Sequence, residues 1–391
     1  LDLFTFSDLV GAGLPLFTPK GTILRDLIVD KIQGLQKKIG YQKVTIPHIT
    51  KKELYETSGH WEKFGDELFK VKGAGDTEFV MKPMNCPHHT QIYAGKPRSY
   101  RDLPIRYMET GVVYRDEQAG ELLGLARVRA ISQDDGHIFC TPEQIEGEIM
   151  GVVSIIKQFY TSLGMWKEGG FWVSLSVRDP NTPEKYLGDV ETWDIAEKAL
   201  EDIAKKNNLP YKRVEGEAAF YGPKLDFMFF DALGRERQLG TAQLDFNMPK
   251  RFGLEYTDKD GVRKTPAMIH RAVAGSLERF LAIAIEHFNG EFPTWLAPVQ
   301  LAIVPVKEGH IAFASEINAK LTESGVRSEL MDAKTGLGKN VREAKTQKVP
   351  FIMVIGDKEI ESGKFKLEGR EELADQTLEA IIEKFIAANK I

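Results

Sequence analysis

Cysteine is nearly absent from this chain: Cys86 and Cys140 are the only two among 391 residues. That is too few for a disulfide framework, and it suits a reducing compartment such as the cytoplasm. Long apolar runs are missing too. None approaches the roughly 18 residues that a membrane-spanning helix needs, which argues against a membrane partner. Leu1-Asp2-Leu3 has neither the basic nor the apolar region of a signal peptide, and the missing initiator Met leaves open whether upstream residues were removed. An excess of positive charge is also lacking. The formal net charge is -5, so nothing draws the whole chain toward nucleic acid, and contact with RNA would need local basic patches. There is no strand–GxxxxGK[ST]–helix loop to cradle phosphates; if ATP is used, it is held another way. No internal repeat and no low-complexity segment occurs.

What is present is the composition of an ordinary globular protein, 42% hydrophobic and 28% charged, at a length that favours two or three domains. Ile23, Leu27, Ile28, Ile32, Leu35 and Ile39 fall at helical spacing between Gly21 and Ile39. Thr18-Pro19 supplies a start signal and Gly40 a stop. The spacing predicts a strand over 42–46, a hairpin of strands 105–114 and 127–139, and strands 225–230 and 237–245 joined through Gly234. Helices are expected over 143–163, 192–207 and 272–288. The proline-rich stretch Phe292-Pro293-Thr294-Trp295-Leu296-Ala297-Pro298 marks a domain boundary. Beyond it strands (299–306, 326–331, 351–355) alternate with helices (311–322, 341–347, 376–388), the pattern of a small α/β domain. The first part reads as α+β.

The densest chemistry lies in Arg127-Val128-Arg129-Ala130-Ile131-Ser132-Gln133-Asp134-Asp135-Gly136-His137. As a strand it would put Arg127, Arg129, Ile131, Gln133, Asp135 and His137 on one face. Such a face makes a poor core and a good floor for a charged ligand, although a solvent-facing sheet edge with mutual ion pairs fits the same pattern. Arg115 and Arg279 carry the planar fork suited to phosphate, yet a lone arginine is usually a surface charge.

Gly111-Val112-Val113-Tyr114-Arg115-Asp116-Glu117 with Arg127-Val128-Arg129 resembles motif 2 of the class II aminoacyl-tRNA synthetases. Gly275-Ser276-Leu277-Glu278-Arg279-Phe280 resembles motif 3, and the long helix leading to Pro47 resembles motif 1, which builds the dimer interface in that class. Narrower signatures resemble the threonyl-tRNA synthetase family: Lys82-Pro83-Met84-Asn85-Cys86-Pro87, Gln133-Asp134-Asp135-Gly136-His137-Ile138-Phe139, Phe220-Tyr221-Gly222-Pro223-Lys224, Ile269-His270-Arg271-Ala272 and Pro293-Thr294-Trp295-Leu296-Ala297-Pro298. Prolyl or seryl relatives would share the three motifs but not these segments, and a non-catalytic relative would be expected to have lost motif arginines.

The resemblance implies an antiparallel class II sheet flanked by helices over 1–296 and an anticodon-binding domain over 297–391. It implies a ligase that joins threonine to tRNA(Thr) through an adenylate, acting as a homodimer. Cys86, His137 and His270 would hold Zn2+, although each alone reads more naturally as core. Met84, Gln133, Asp135, Tyr221, Lys224 and Gln243 would line the threonine pocket. Arg115, Glu117, Arg127, Gln238, Ser276 and Arg279 would bind ATP with Mg2+. His60, in Ser58-Gly59-His60-Trp61, matches a histidine thought to assist transfer to tRNA; a positioning or packing role suits it equally. Lys334, Lys339, Arg342, Lys345 and Lys348 would meet an RNA backbone, or else form a solvated helix face. Two departures stand out: Asp116 where Asn or Tyr is commoner, and His88 where the family usually has Gly. The N-terminal region that edits seryl-tRNA in many relatives is not in this sequence. Some serine mischarging is therefore expected of the chain by itself, with editing left to a separate factor.

Overall fold

The computed structural model describes residues 1–390. The chain divides into two compact units: one formed by Phe6–Pro15 and Val29–Ile283, the other by Leu1–Thr5, Leu16–Ile28 and the chain from Ala284 onward. In α1 (Pro19–Lys38) the expected signals act as read. Pro19 occupies the first helical position, Thr18 Oγ1 accepts the Gly21 N–H at 3.2 Å, and Gly40 follows with φ +87°. A glycine tolerates that left-handed conformation without steric cost.

The larger unit is organised by an eight-stranded sheet. Its strands are β1 (Gln42–Lys43), β2 (Ile105–Tyr114), β3 (Ala130–Cys140), β4 (Phe171–Val177), β5 (Tyr211–Glu215), β6 (Lys224–Phe230), β7 (Glu236–Asp245) and β8 (Ala267–Ala272). The order across the sheet is β5-β4-β6-β7-β8-β3-β2-β1. Only the outer pairs β5/β4 and β1/β2 run parallel; the centre is antiparallel. One face is covered by α3 (Ile145–Ser162), which buries Ile149, Val152, Val153, Ile156, Phe159 and Tyr160. Gly240 on β7 lets that helix approach, since a Cβ there would come within 3.1 Å of Ile156. The opposite face carries the polar residues of the site and, beside them, an apolar cluster that includes Cys86, Tyr93, Tyr107, Phe139 and Met268. The remaining long helices of the unit are α2 (Cys86–Ala94), α4 (Val190–Lys206) and the start of α5 (Leu277–His287).

Three expectations need correction. The strand expected from Arg127 begins at Ala130, because Arg127 is held in the preceding loop by Glu117 and Glu121 and Arg129 reaches back to the Glu117 carbonyl. The helix expected from Ala272 begins at Leu277; Ala272 instead closes the strand Ala267–Ala272, which is buried on both faces and to which the sequence pattern assigned no element. The strand expected over 42–46 ends at Lys43, and the Ile46 N–H turns to the Glu109 side chain at 3.1 Å.

The smaller unit contains a five-stranded sheet of β9 (Leu301–Pro305), β10 (Ser328–Leu330), β11 (Phe351–Ile355), β12 (Phe365–Gly369) and β13 (Leu373–Gln376), in the order β10-β9-β11-β12-β13. The first three run parallel and carry α6 (Ile311–Glu323) and α7 (Leu337–Thr346). β12 and β13 are an antiparallel hairpin that the sequence pattern did not disclose. The final helix, α8 (Leu378–Asn389), buries Ile381 and Phe385 against Phe351 and Leu367 in the unit's core.

Candidate active site

Strand register builds the site. Lys224 on β6 pairs with Gln243 on β7, Gln243 with His270 on β8, and His270 with His137 on β3. Directly paired residues of an antiparallel sheet point to one face, so four residues far apart in the sequence form a single row. Asp135 lies two positions from His137 on the same face. Cys86 enters from outside the sheet as the first residue of α2.

One ligand atom each from Cys86, His137 and His270 lies within 4.8 Å of the other two, and all three side chains are buried. The donor set fits a metal. Burial, together with the nearby Asp135 and Asp245 carboxylates, pushes the Cys86 thiol well above its ordinary value and outweighs the opposing pull of Arg115. His137 Nε2 is shut from solvent with no hydrogen-bond partner, although Asp135 Oδ1 stands 3.7 Å away. A buried nitrogen left so is costly unless something takes its lone pair. His270 is anchored by Nε2 to Asp245 Oδ2 at 3.0 Å, leaving Nδ1 as its other ring atom. Three such donors around one point are what an open zinc site needs.

Around this set Asp135 accepts the Asn85 amide at 3.0 Å and its neighbour's Gly136 N–H at 2.9 Å, and burial raises its carboxyl. Gln243 donates to the Gly222 carbonyl at 3.1 Å. Tyr221 packs on His270 with ring centroids 4.8 Å apart, and Lys224 pairs with Asp226 at 2.9 Å. Met84 meets Arg115, whose Nη2 lies 3.0 Å from the thioether sulfur. The Arg115 guanidinium rests over Phe64 at 4.9 Å, its Nε has no partner, and burial depresses its pKa. Glu67 and Glu117 act on it only through space, and a half-buried guanidinium of this kind suits an anion.

His60 is fully buried. Its Nδ1 faces Ser58 Oγ at 2.8 Å and its Nε2 faces Cys86 Sγ at 3.7 Å, while Phe64 and Phe220 flank the ring. Burial, with the neighbouring His270, drives its pKa down to about 3. Placed so, both ring nitrogens face protein atoms. Gln133 lies at the bridge to Ser276. Arg127 is paired with Glu117 at 2.6 Å. Gln238 and Arg279 are exposed and lie outside the buried set. Burial and then the charge of Arg237 lower the Arg279 pKa. In the smaller unit Lys334, Lys339, Arg342 and Lys345 are exposed, while Lys348 pairs with Glu291 at 2.8 Å.

Sequence reasoning missed the carboxylates that hold these groups. Asp134 accepts Arg271 Nη1 at 2.7 Å and the Val273 and Ala274 N–H groups at 2.7 and 3.1 Å, fixing the turn before α5. Asp245 orients His270, and Glu109 reaches His89. For Asp245 the only sequence signal was a carboxylate among apolar neighbours, Leu244-Asp245-Phe246; Asp134 stood unremarked beside Asp135 in the segment already singled out.

Residues 69–288 match the tRNA synthetase class II core domain (G, H, P, S and T), and residues 300–387 an anticodon binding domain. A threonine–tRNA ligase of Thermus thermophilus is 47% identical over 98% of this chain and 58% of its own length. One from Gloeobacter violaceus is 50% identical over 93% of this chain and 58% of its own length. The chain thus spans less than two thirds of these relatives. A crystal structure titled as the RNA binding domain of threonyl-tRNA synthetase from Cryptosporidium parvum superposes with TM-score 0.92 at 35% identity, covering 99% of this chain and 96% of that one. Giardia lamblia prolyl-tRNA synthetase in complex with prolyl-adenylate shares the fold alone, at TM-score 0.73 and 16% identity over 97% of this chain and 75% of that one.

Proposed function

Because the chain belongs to the class II tRNA synthetases, and among them to the threonyl family, we propose that it activates L-threonine with ATP and transfers it to tRNA(Thr). The observation that carries this reading is the convergence of Cys86, His137 and His270 beside Asp135, Gln243 and Lys224, with the half-buried Arg115 guanidinium close by. Zinc, when bound to the thiolate and two imidazoles, would supply open positions for the amino and hydroxyl groups of threonine.

Asp135 would take the substrate ammonium group, and Met84, Gln133, Tyr221, Lys224 and Gln243 would wall the pocket. An apolar pocket separates threonine from valine by only about a hundredfold, whereas a site built around the hydroxyl rejects valine far more strongly. Serine keeps the hydroxyl, so serine activation is expected of this site. The threonine carboxylate attacks the α-phosphorus of ATP in line, and pyrophosphate leaves. Arg115 neutralises charge on the α-phosphate as it develops, and Arg279 holds the γ-phosphate, with Glu117, Arg127, Gln238 and Ser276 around the nucleotide and Mg2+ on the phosphates. Catalysis is then chiefly positioning and electrostatics. A hydroxyl of the terminal adenosine of tRNA next attacks the carbonyl carbon and AMP departs. His60 would position the thiol and the substrate rather than carry this proton. Residues 1–296 would form the catalytic domain and 297–391 the anticodon-binding domain. The motif 1 segment would pair two copies.

The test is ATP–pyrophosphate exchange with threonine, serine, valine and proline, alongside zinc content, in the wild type and in Cys86→Ser. Threonine-dependent exchange with about one zinc per chain, both lost in the variant, is the expected result. Exchange driven by proline instead, or full exchange without zinc, would defeat the reading.

A further inference from the structure

Each imidazole of the proposed metal set is backed by a carboxylate, His270 directly by Asp245 and His137 through a third histidine. From this arrangement we infer that Glu109 and His89 form a relay that fixes the tautomer of His137 and turns its Nε2 lone pair toward the metal. The inference rests on the zinc reading above and adds two positioning residues to it.

His89 Nδ1 lies 2.7 Å from His137 Nδ1. Two bare lone pairs at that distance repel, so one proton must lie between them. If His137 donates it, His89 carries its own proton on Nε2, which faces Glu109 Oε2 at 3.4 Å. If neutral His89 donates instead, its Nε2 lone pair opposes the carboxylate, leaving two buried acceptors face to face. That alternative also puts a proton on His137 Nε2, the atom nothing else in the protein binds. Only the first arrangement leaves that atom a donor to metal.

The fold supplies the pieces together. Cys86 and His89 stand three residues apart on α2, a spacing that puts both on one helix face. The β2–β3 register pairs Tyr107 with His137 and Glu109 with Asp135, so Glu109 shares the face of the site. Its other oxygen accepts the Ile46 N–H at 3.1 Å, which holds the carboxylate still. His89 and Glu109 are both buried, and the link between them is the longer of the two.

The experiment measures zinc affinity in the full chain by competition with a chromophoric chelator, together with zinc content and thermal unfolding of the metal-free protein. It compares the wild type with Cys86→Ser, Glu109→Gln, His89→Leu and His89→Asn. Asparagine keeps a carbonyl acceptor near the position of His89 Nδ1, and leucine removes it. His89→Leu is expected to weaken zinc about 10–100-fold, His89→Asn to recover most of that loss, and Glu109→Gln to fall between. Wild-type affinity in His89→Leu, or no recovery in His89→Asn, would overturn the relay while leaving the zinc site intact. Should His89→Leu not fold, Glu109→Gln decides: a several-fold loss supports the relay and unchanged affinity refutes it. A wild type that binds no zinc, or a Cys86→Ser variant that binds it equally well, would instead refute the metal reading, and the relay with it.

Discussion

Replacing Gly136 by alanine should damage the larger unit far more than a single methyl group suggests. Gly136 on β3 faces Arg271 on β8, and a Cβ there would stand 2.5, 2.6 and 2.7 Å from Nη2, Nε and Cζ of that side chain. Arg271 is fully buried, lies over Tyr41 at 5.3 Å, and is fixed by Asp134 Oδ1 at 2.7 Å and the Asp135 carbonyl at 3.0 Å. Restoring ordinary contact would move the guanidinium by about 0.8 Å, enough to stretch both hydrogen bonds toward the limit of bonding. Charge-assisted bonds contribute roughly 1.5–3 kcal/mol each, so the substitution should cost about 3–5 kcal/mol, in the range of a broken buried ion pair. Trp61, Trp166, Trp172 and Trp193 lie within the larger unit, and their fluorescence during urea unfolding reads its stability. A second measurement, in an Arg271→Met background, isolates the cause: with the guanidinium gone, Gly136→Ala should cost less than about 1 kcal/mol. If it costs under about 0.5 kcal/mol in the wild type, or the full amount in both backgrounds, the clash is not the reason for this glycine.

Arg115→Gln should lower threonine-dependent exchange about 10²–10³-fold, the usual loss on removing a preorganised donor to developing charge, with thermal unfolding little changed; an effect on KM alone would show that Arg115 binds ground state and transition state alike. Burial alone would raise the Asp231 carboxyl, but hydrogen bonds from the Arg235 backbone, the Arg235 side chain and Arg237 outweigh it and hold its pKa at about 2. Because the folded value is depressed, this stabilisation is present above about pH 4 and is lost as pH falls from there toward 2. Asp231→Asn should therefore cost on the order of 1 kcal/mol at neutral pH, discounted because both arginines are partly exposed, and the gap should close in thermal melts toward pH 2. Arg327 is half-buried without a carboxylate and donates to the carbonyls of Ala297 at 2.9 Å and Trp295 at 2.7 Å. Arg327→Lys cannot supply that fork and should destabilise the smaller unit by about 2–3 kcal/mol, read from Trp295 fluorescence.

Most elements were legible because their apolar pattern is long, as in α3 and the β2 strand, or because start and stop signals are explicit, as in α1. The misreadings have separate causes. Ala267–Ala272 is buried on both faces and shows no alternation, and the hairpin of β12 and β13 is too short and polar to stand out from loop. The strand expected at Arg127 starts three residues later because loop carboxylates hold that arginine, a long-range pairing that local pattern does not carry.

By itself the sequence determined several of the long helices, the family to which the chain belongs and the identity of the residues suspected of chemistry. It could not say that Cys86, His137 and His270 meet, because no local spacing connects them; register between β8 and β3 sets the two histidines side by side, and the start of α2 brings Cys86 to them. Nor could it show that His60 is sealed in aromatic packing, or that Glu109, His89, Asp134 and Asp245 stand behind the functional side chains. Those roles are set by which neighbours exclude water and which lone pairs face each other, and both are properties of the packed molecule alone.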